Sequence, residues 1–199
     1  MGKLEINKKQ KKDALFQTAY DLFTVKGFAK TTISDIVNSA GLAKGTFYLY
    51  FRDKYDLKDK LIIHKSAQLF SDAYKALQCE DITDFEDQVI WIMDYFIDRF
   101  RKEHSLLRFI AKNLSWGILK NTFEQKVPEE SRKLYEYYLE MLQKSNVTCK
   151  EPELMLFTFI ELVSATCYNC ILYEQPVSID EYLPYLHKCI HQIFLAYTT

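Results

Sequence analysis

Between Thr31 and Lys54 the chain reads TTISDIVNSAGLAKGTFYLYFRDK, two helical patterns meeting at a glycine, each too short to be stable without packing on something else. Thr32 suits an N-cap, and Asp35 three positions on completes a variant of the capping box. Ile33, Ile36, Val37 and Ala40 then fall at i, i+3, i+4 and i+7, one apolar stripe facing a small core. Gly41 can take the left-handed conformation that ends a helix, Leu42 is a candidate buried hinge, and Ala43 leads into a second helix from Lys44 to about Phe51. In that helix Phe47 and Phe51 point to the core, which leaves Lys44, Gly45, Thr46, Tyr48 and Tyr50 outside.

An outer face of lysine, glycine, threonine and tyrosine suits a duplex groove. Lysine meets phosphate or guanine, hydroxyls reach phosphates, and glycine lets the backbone approach closely. The bland alternative is an ordinary helical hairpin with a tyrosine-rich surface. The short turn between the helices matches a helix-turn-helix. Residues 10–57 resemble the DNA-binding domain of the TetR family of bacterial transcriptional regulators. The matching types are Ala19, Leu22, Phe23, Lys26-Gly27-Phe28, Thr31-Thr32-Ile33, Asp35-Ile36, Ala40-Gly41, Lys44 to Tyr48, Tyr50-Phe51, Lys54 and Leu57. The resemblance implies DNA contacts from Thr31, Thr32, Lys44, Gly45, Thr46, Tyr48, Tyr50 and Lys54, with Tyr48 and Lys54 serving phosphates and Lys44 and Thr46 serving sequence preference. One departure is Ala43, which stands where the family usually has a capping serine or threonine and forgoes about 1 kcal/mol of helix stability. The second helix is therefore expected to fray until DNA phosphates satisfy its first amides.

The net charge of -1 conceals an asymmetry: residues 1–60 carry twelve Lys and Arg against seven Asp and Glu, while the remainder carries fourteen against twenty. Phosphate contact needs only a local positive face, so the basic third can meet DNA while the acidic remainder stays off it. No secretory pattern precedes the first helix, and a cytoplasmic location is expected. Five cysteines, an odd number, fit free thiols in a reducing compartment. Cys167 and Cys170 form a C-x-x-C inside an apolar helical run, read as two small buried hydrophobes. His187 and His191 lie at i, i+4 but lack a further ligand, so no metal and no cofactor is expected.

Scarce glycine and proline, missing strand alternation and recurrent helical periodicity predict an all-α chain of about nine helices. The pattern places a first helix over Lys8 to Val25 and a long fourth helix from near Asp53, with Ile63, Ala67, Phe70, Tyr74 and Leu77 on one stripe. A fifth helix starts at Thr83 or Asp84, and a sixth passes through Leu106, Phe109, Ile110 and Leu114 to a break at Gly117. A seventh opens at Pro128 and an eighth at Pro152, and Ser178 caps a ninth whose start Pro184 should delay or kink. The expected domains are residues 1–52 for DNA and residues 53–199 for effector binding and dimerisation. Leu154 to Tyr173 is long enough to span a membrane, yet Glu161 and Asn169 within it favour a helix buried by protein, and no membrane partner is expected.

The resemblance implies a homodimer formed by the last two helices, with Tyr168, Ile171, Leu172, Leu186, Ile190 and Ile193 at the interface. It also implies a small-molecule pocket, for which the aromatic content suggests an apolar or aromatic effector lined by Phe70, Trp91, Phe96, Phe109, Trp116, Phe123, Tyr138 and Tyr168. Glu161, in an apolar helix, should be paired, protonated or facing that cavity. The implied activity is that of a dimeric repressor released from a palindromic DNA operator by its ligand, with no enzymatic role. Two alternatives stand beside it: a regulator controlled by a protein partner or by no effector, and a thiol-based redox or metal module using Cys167 and Cys170.

Overall fold

A computed structural model describes residues 2–111, 129–145 and 147–198. Among them the regular structure is helical, apart from an isolated bridge between Cys149 and Thr198. The chain divides into two compact units, Met1–Ile62 and Ile63–Thr199.

The first unit holds α1 (Lys3–Val25), α2 (Ile33–Ser39), α3 (Lys44–Tyr48) and the opening turns of α4 (Lys54–Leu77). The capping box of α2 forms as the sequence predicts: Thr32 Oγ1 accepts from the Asp35 amide at 3.0 Å, and the Asp35 carboxylate accepts from the Thr32 amide at 2.9 Å. Gly41 follows α2 with φ 65°, a left-handed conformation that a side chain would strain. Helix α1 starts at Lys3 rather than Lys8. Gly2 caps it, its amide donating to Glu5 at 3.1 Å, and the polar run that follows has no breaker to stop the helix. Helix α3 covers five residues, after which Tyr50 and Phe51 amides still donate to the Phe47 carbonyl at 3.0 Å in a closing turn.

The division between units falls ten residues beyond Arg52 because Leu57, Leu61 and Ile62 of α4 are fully buried and belong to the first unit's core. That core also takes Leu15, Phe16, Ala19, Tyr20 and Phe23 from α1, Ile36 and Val37 from α2, and Phe47 and Phe51.

The second unit contains the rest of α4 with α5 (Phe85–Lys102), α6 (His104–Ala111), α7 (Glu129–Lys144), α8 (Pro152–Tyr173) and α9 (Ile179–Tyr197). Helix α5 packs against α6, α7, α8 and α9. It starts where Asp84 accepts from the Asp87 amide at 3.1 Å, and it buries Phe85, Val89, Ile92, Met93, Ile97 and Phe100. Leu114, Gly117 and Pro128 lie outside the described residues. Ser178 caps α9, accepting from the Glu181 amide at 3.3 Å. Pro184 does not delay the start: it sits past the first turn, where its missing N–H removes a single bond, to the Asp180 carbonyl.

Among the described residues α8 alone is long and apolar enough to cross a membrane, with mean hydropathy 1.6 over its best window. Its apolar character has two parts. Met155, Leu156, Phe159, Val163, Cys167, Cys170 and Ile171 are buried in the unit, while Leu154, Glu161, Ala165, Asn169 and Tyr173 are exposed.

Helix α9 offers a paired test of burial. Leu186→Ala, at a fully buried site, should lower unfolding free energy by about 2–5 kcal/mol. Gln192→Ala, at an exposed site of the same helix, should change it by less than about 0.5 kcal/mol, both read by urea denaturation.

Candidate nucleic-acid interface and ligand cavity

Five residues cannot hold a helix by backbone bonds alone, and no side chain caps α3 at Ala43. It is held by aromatic packing. Phe47 and Phe51 are buried with ring centroids 5.4 Å apart, and Phe16 of α1 lies 5.3 Å from Phe51. The Lys60 ammonium, 5.6 Å from the Phe51 ring, bonds Asp56 at 3.0 Å and the Tyr50 carbonyl at 3.3 Å, which fixes the turn after α3.

Locking Phe47 inward turns the opposite face out. Lys44 and Gly45 are exposed, Tyr48 is 54% exposed, and Thr46 and Tyr50 are half-buried. A Cβ built at Gly45 would meet nothing within 4 Å, so the backbone there is open to close approach by another molecule. Four of these expected contact residues lie on α3, and Tyr50 lies in the turn that closes it.

The other three are not. Thr31 is 1% exposed and its hydroxyl donates to the Gly27 carbonyl at 2.9 Å, closing the corner after α1. The Thr32 hydroxyl is engaged as the α2 cap, though the residue itself is exposed. Lys54, expected at a phosphate, has partners within the fold. Its ammonium donates to the Phe28 and Thr31 carbonyls, each at 2.8 Å, and sits 4.3 Å from the Phe28 ring. The sequence reading passed over Lys30 and Arg52, both exposed on the first unit. Their sign, within a basic third, was the available signal.

In the second unit a cavity of about 90 Å³ opens among α4, α5, α6 and α8. Of the predicted lining residues, Phe70 and Phe96 face it; the wall otherwise comes from Ser66, Leu69, Met93, Phe100, Leu107, Ile110, Ala111, Leu156, Ile160, Val163, Ser164 and Cys167. Aliphatic positions on a helix give no sign of whether they meet a neighbour or a void, which is why they were missed. Trp91 instead stacks on Tyr95 at 5.6 Å. Phe109 is buried away from the lining. Tyr138 is core: it packs edge-on to Phe85 at 5.9 Å and donates to the Pro152 carbonyl at 3.0 Å, and burial raises its phenol pKa. Tyr168 lies edge-on to Tyr173, and Glu161 is exposed rather than facing the cavity. Trp116 and Phe123 lie outside the described residues.

The expected interface stripe also needs correction. Leu186 and Ile190 are fully buried and Ile171 is 9% exposed, so these three serve the unit's own core. Tyr168, Leu172 and Ile193 are half-buried. The apolar groups that do face outward on α8 and α9 are Leu154, Tyr173, Tyr185 and Leu195, between 47% and 64% exposed.

His187 and His191 bond carboxylates of α5, Asp94 at 2.8 Å and Glu86 at 2.9 Å, and no metal-holding cluster occurs among the described residues. Burial pushes the Cys167 thiol up to about 12 and raises Cys170 as well, so both stay protonated at neutral pH and are poor nucleophiles.

Residues 15–61 match the family model of the bacterial regulatory proteins, tetR family. YerO, an HTH-type transcriptional regulator of Bacillus subtilis (strain 168), is 47% identical over 45 residues, which cover 23% of this chain and 16% of YerO's own length. The fold extends much further. A TetR-family structure from Vibrio parahaemolyticus aligns with TM-score 0.63 at 18% identity over 95% of this chain and 99% of the other. The FadR regulator from Bacillus subtilis, in complex with stearoyl-CoA, aligns with TM-score 0.56 at 15% identity over 89% and 96%.

Two outcomes test the scaffold around α3. Lys54→Ala should cost about 1–3 kcal/mol by leaving two carbonyls without their cationic donor, seen as an earlier thermal unfolding of the first unit. The Asp35 carboxylate is held down to about 2, chiefly by the hydrogen bond from the Lys26 ammonium and then by the Thr32 amide and hydroxyl. Its folded-state value lies below the unfolded one, so its stabilisation is complete above the ordinary carboxylate range and disappears as pH falls towards 2. Melting temperatures from pH 5 to pH 2 should fall less steeply in Asp35→Asn than in the wild type.

Proposed function

We propose that this chain, whose residues 15–61 carry the N-terminal domain of the tetR family of bacterial regulatory proteins, is a dimeric transcriptional repressor released from a palindromic operator by a small apolar ligand. The observation that carries the DNA-binding part is the face of α3: Lys44, Gly45, Thr46 and Tyr48 are presented together because Phe47 is locked into the core. The lysine supplies phosphate neutralisation or guanine contact, and the open backbone at Gly45 lets α3 approach the groove closely. Lys30 and Arg52 add positive charge on the same unit.

A five-residue helix reads few base pairs, so a second copy is needed for tight binding. A two-fold dimer supplies it and matches a palindrome. The outward apolar groups of α8 and α9, Leu154, Tyr173, Tyr185 and Leu195, are the surface proposed for that contact in place of the buried stripe.

Ligand response is supported by the cavity, whose wall takes Ser66, Leu69 and Phe70 from α4, the same helix whose first residue is Lys54. Occupancy would shift α4 and with it the turn after α3 that Lys60 holds, weakening operator binding by the ratio of ligand affinities for the two states. The FadR neighbour holds stearoyl-CoA, but about 90 Å³ is too small for a long acyl chain, and a compact ligand is proposed here.

Fluorescence anisotropy with duplex fragments from the DNA flanking the gene tests the assignment. Lys44→Ala should weaken binding about tenfold and reduce the salt slope by about one, and Thr46→Ala should relax sequence preference. Wild-type affinity and selectivity in both variants would remove α3 as the reading helix.

A further inference from the structure

The wall of the cavity is apolar except for the Ser66 and Ser164 hydroxyls and the Cys167 thiol, and it includes no charged side chain among the described residues. Ser66 stands apart. It is 8% exposed, and its Oγ has no hydrogen-bond partner among the described residues. A helical hydroxyl usually has a remedy close by, the carbonyl one turn back. Thr24, Thr158, Thr166 and Thr198 in this chain all take it, donating to Tyr20, Leu154, Leu162 and Phe194 carbonyls at 2.7–2.8 Å. Ser66 does not donate to Ile62 in this way; its Oγ is buried, and Ser66 is one of the residues that line an apolar space. Leaving a buried hydroxyl unmade carries a free-energy cost that only a visiting partner removes.

We propose that this cavity takes a small uncharged molecule with an apolar body and a single hydrogen-bonding oxygen or nitrogen, and that Ser66 Oγ receives that atom. The inference rests on the reading of the second unit as an effector domain and narrows the chemistry of its ligand. Among the described residues no opposite charge lines the cavity, and an unpaired ion in such surroundings is strongly disfavoured, so carboxylates, phosphates and ammonium groups are not expected there. Size sets the other limit. A cavity of about 150 Å³ accepts benzene, so about 90 Å³ suits a body no larger than one ring. Met93, the most adaptable group in the wall, provides the remaining room. The serine thus acts as a selectivity device: it favours an alcohol, phenol or ketone over the hydrocarbon of the same shape.

The probes are phenol, toluene and benzoate, titrated calorimetrically into the full-length protein. The wild type should bind phenol about tenfold more tightly than toluene and should not bind benzoate. Ser66→Ala should abolish the preference while leaving toluene binding unchanged, and Ser164→Ala should retain it. Without ligand, Ser66→Ala should melt no lower than the wild type, since it removes a hydroxyl that has no partner in the fold; a lower melting temperature would show an internal partner and overturn the proposal. Equal binding of phenol and toluene by the wild type, or loss of the preference in Ser164→Ala but not in Ser66→Ala, would also overturn it while leaving an apolar effector in place. Benzoate binding as tightly as phenol would overturn the exclusion of charge. Failure of all three probes to bind would remove both the proposal and the cavity as an effector site.

Discussion

The functional surface depends on burying Phe47. A helix of five residues with no cap has no means of persisting in water, because the cost of nucleation is met by too few backbone bonds. Phe47, Phe51 and Phe16 supply the missing free energy, and once Phe47 points inward the positions of Lys44, Gly45 and Tyr48 are determined by helix geometry. The same requirement explains the crowded junction between α3 and α4. Lys60 ties Asp56 to the Tyr50 carbonyl, and Lys54 ties the loop after α1 to the start of α4. The short element is therefore fixed at its C-terminal end by Lys60, while Lys54 fixes the corner before α2.

That economy governs how far the sequence was legible. The cap at Thr32, the left-handed Gly41 and the inward Phe47 and Phe51 follow from local rules, since each depends on a neighbour a few residues away. Lys54 and Thr31 did not follow. Their partners are the carbonyls of Phe28 and Gly27, fixed by the fold of a corner and not by any periodicity. A lysine or threonine in a basic DNA-binding segment looks the same whether it serves phosphate or backbone, because both offer an oxygen acceptor of similar geometry.

In the second unit the helices were legible and their faces were not. Both α8 and α9 carry apolar groups on two sides, so periodicity identified the helices without saying which stripe would turn inward. Leu186 and Ile190 went to the core, Leu195 and Tyr185 to the surface. A core and a subunit contact are built from the same chemistry, and only the packing of α5 against both helices separates them. The cavity was misplaced for a related reason. Trp91 stacks on Tyr95, Phe109 is buried and Tyr138 packs on Phe85, while Ser66, three phenylalanines and a larger number of aliphatic groups surround the void.

Ligand size limits what the proposed switch can do. A ligand of about seven heavy atoms cannot exceed roughly 10 kcal/mol of binding free energy, at about 1.5 kcal/mol per atom for the best small ligands. Turning a two-state protein from almost wholly one form to almost wholly the other needs about 5.5 kcal/mol of difference between the states, and affinity common to both contributes nothing. One compact ligand would have to spend more than half its binding energy on discrimination. In a two-fold dimer the requirement is shared, since two cavities each supplying about 2.8 kcal/mol reach the same total. A hydrogen bond at Ser66 contributes to this division to the extent that it forms in the released state and is absent from the operator-bound one. On the proposed reading a small cavity would suffice in a dimer and be marginal in a monomer, which would tie the outward apolar face of α8 and α9 to the working of the cavity as well as to the spacing of the reading helices.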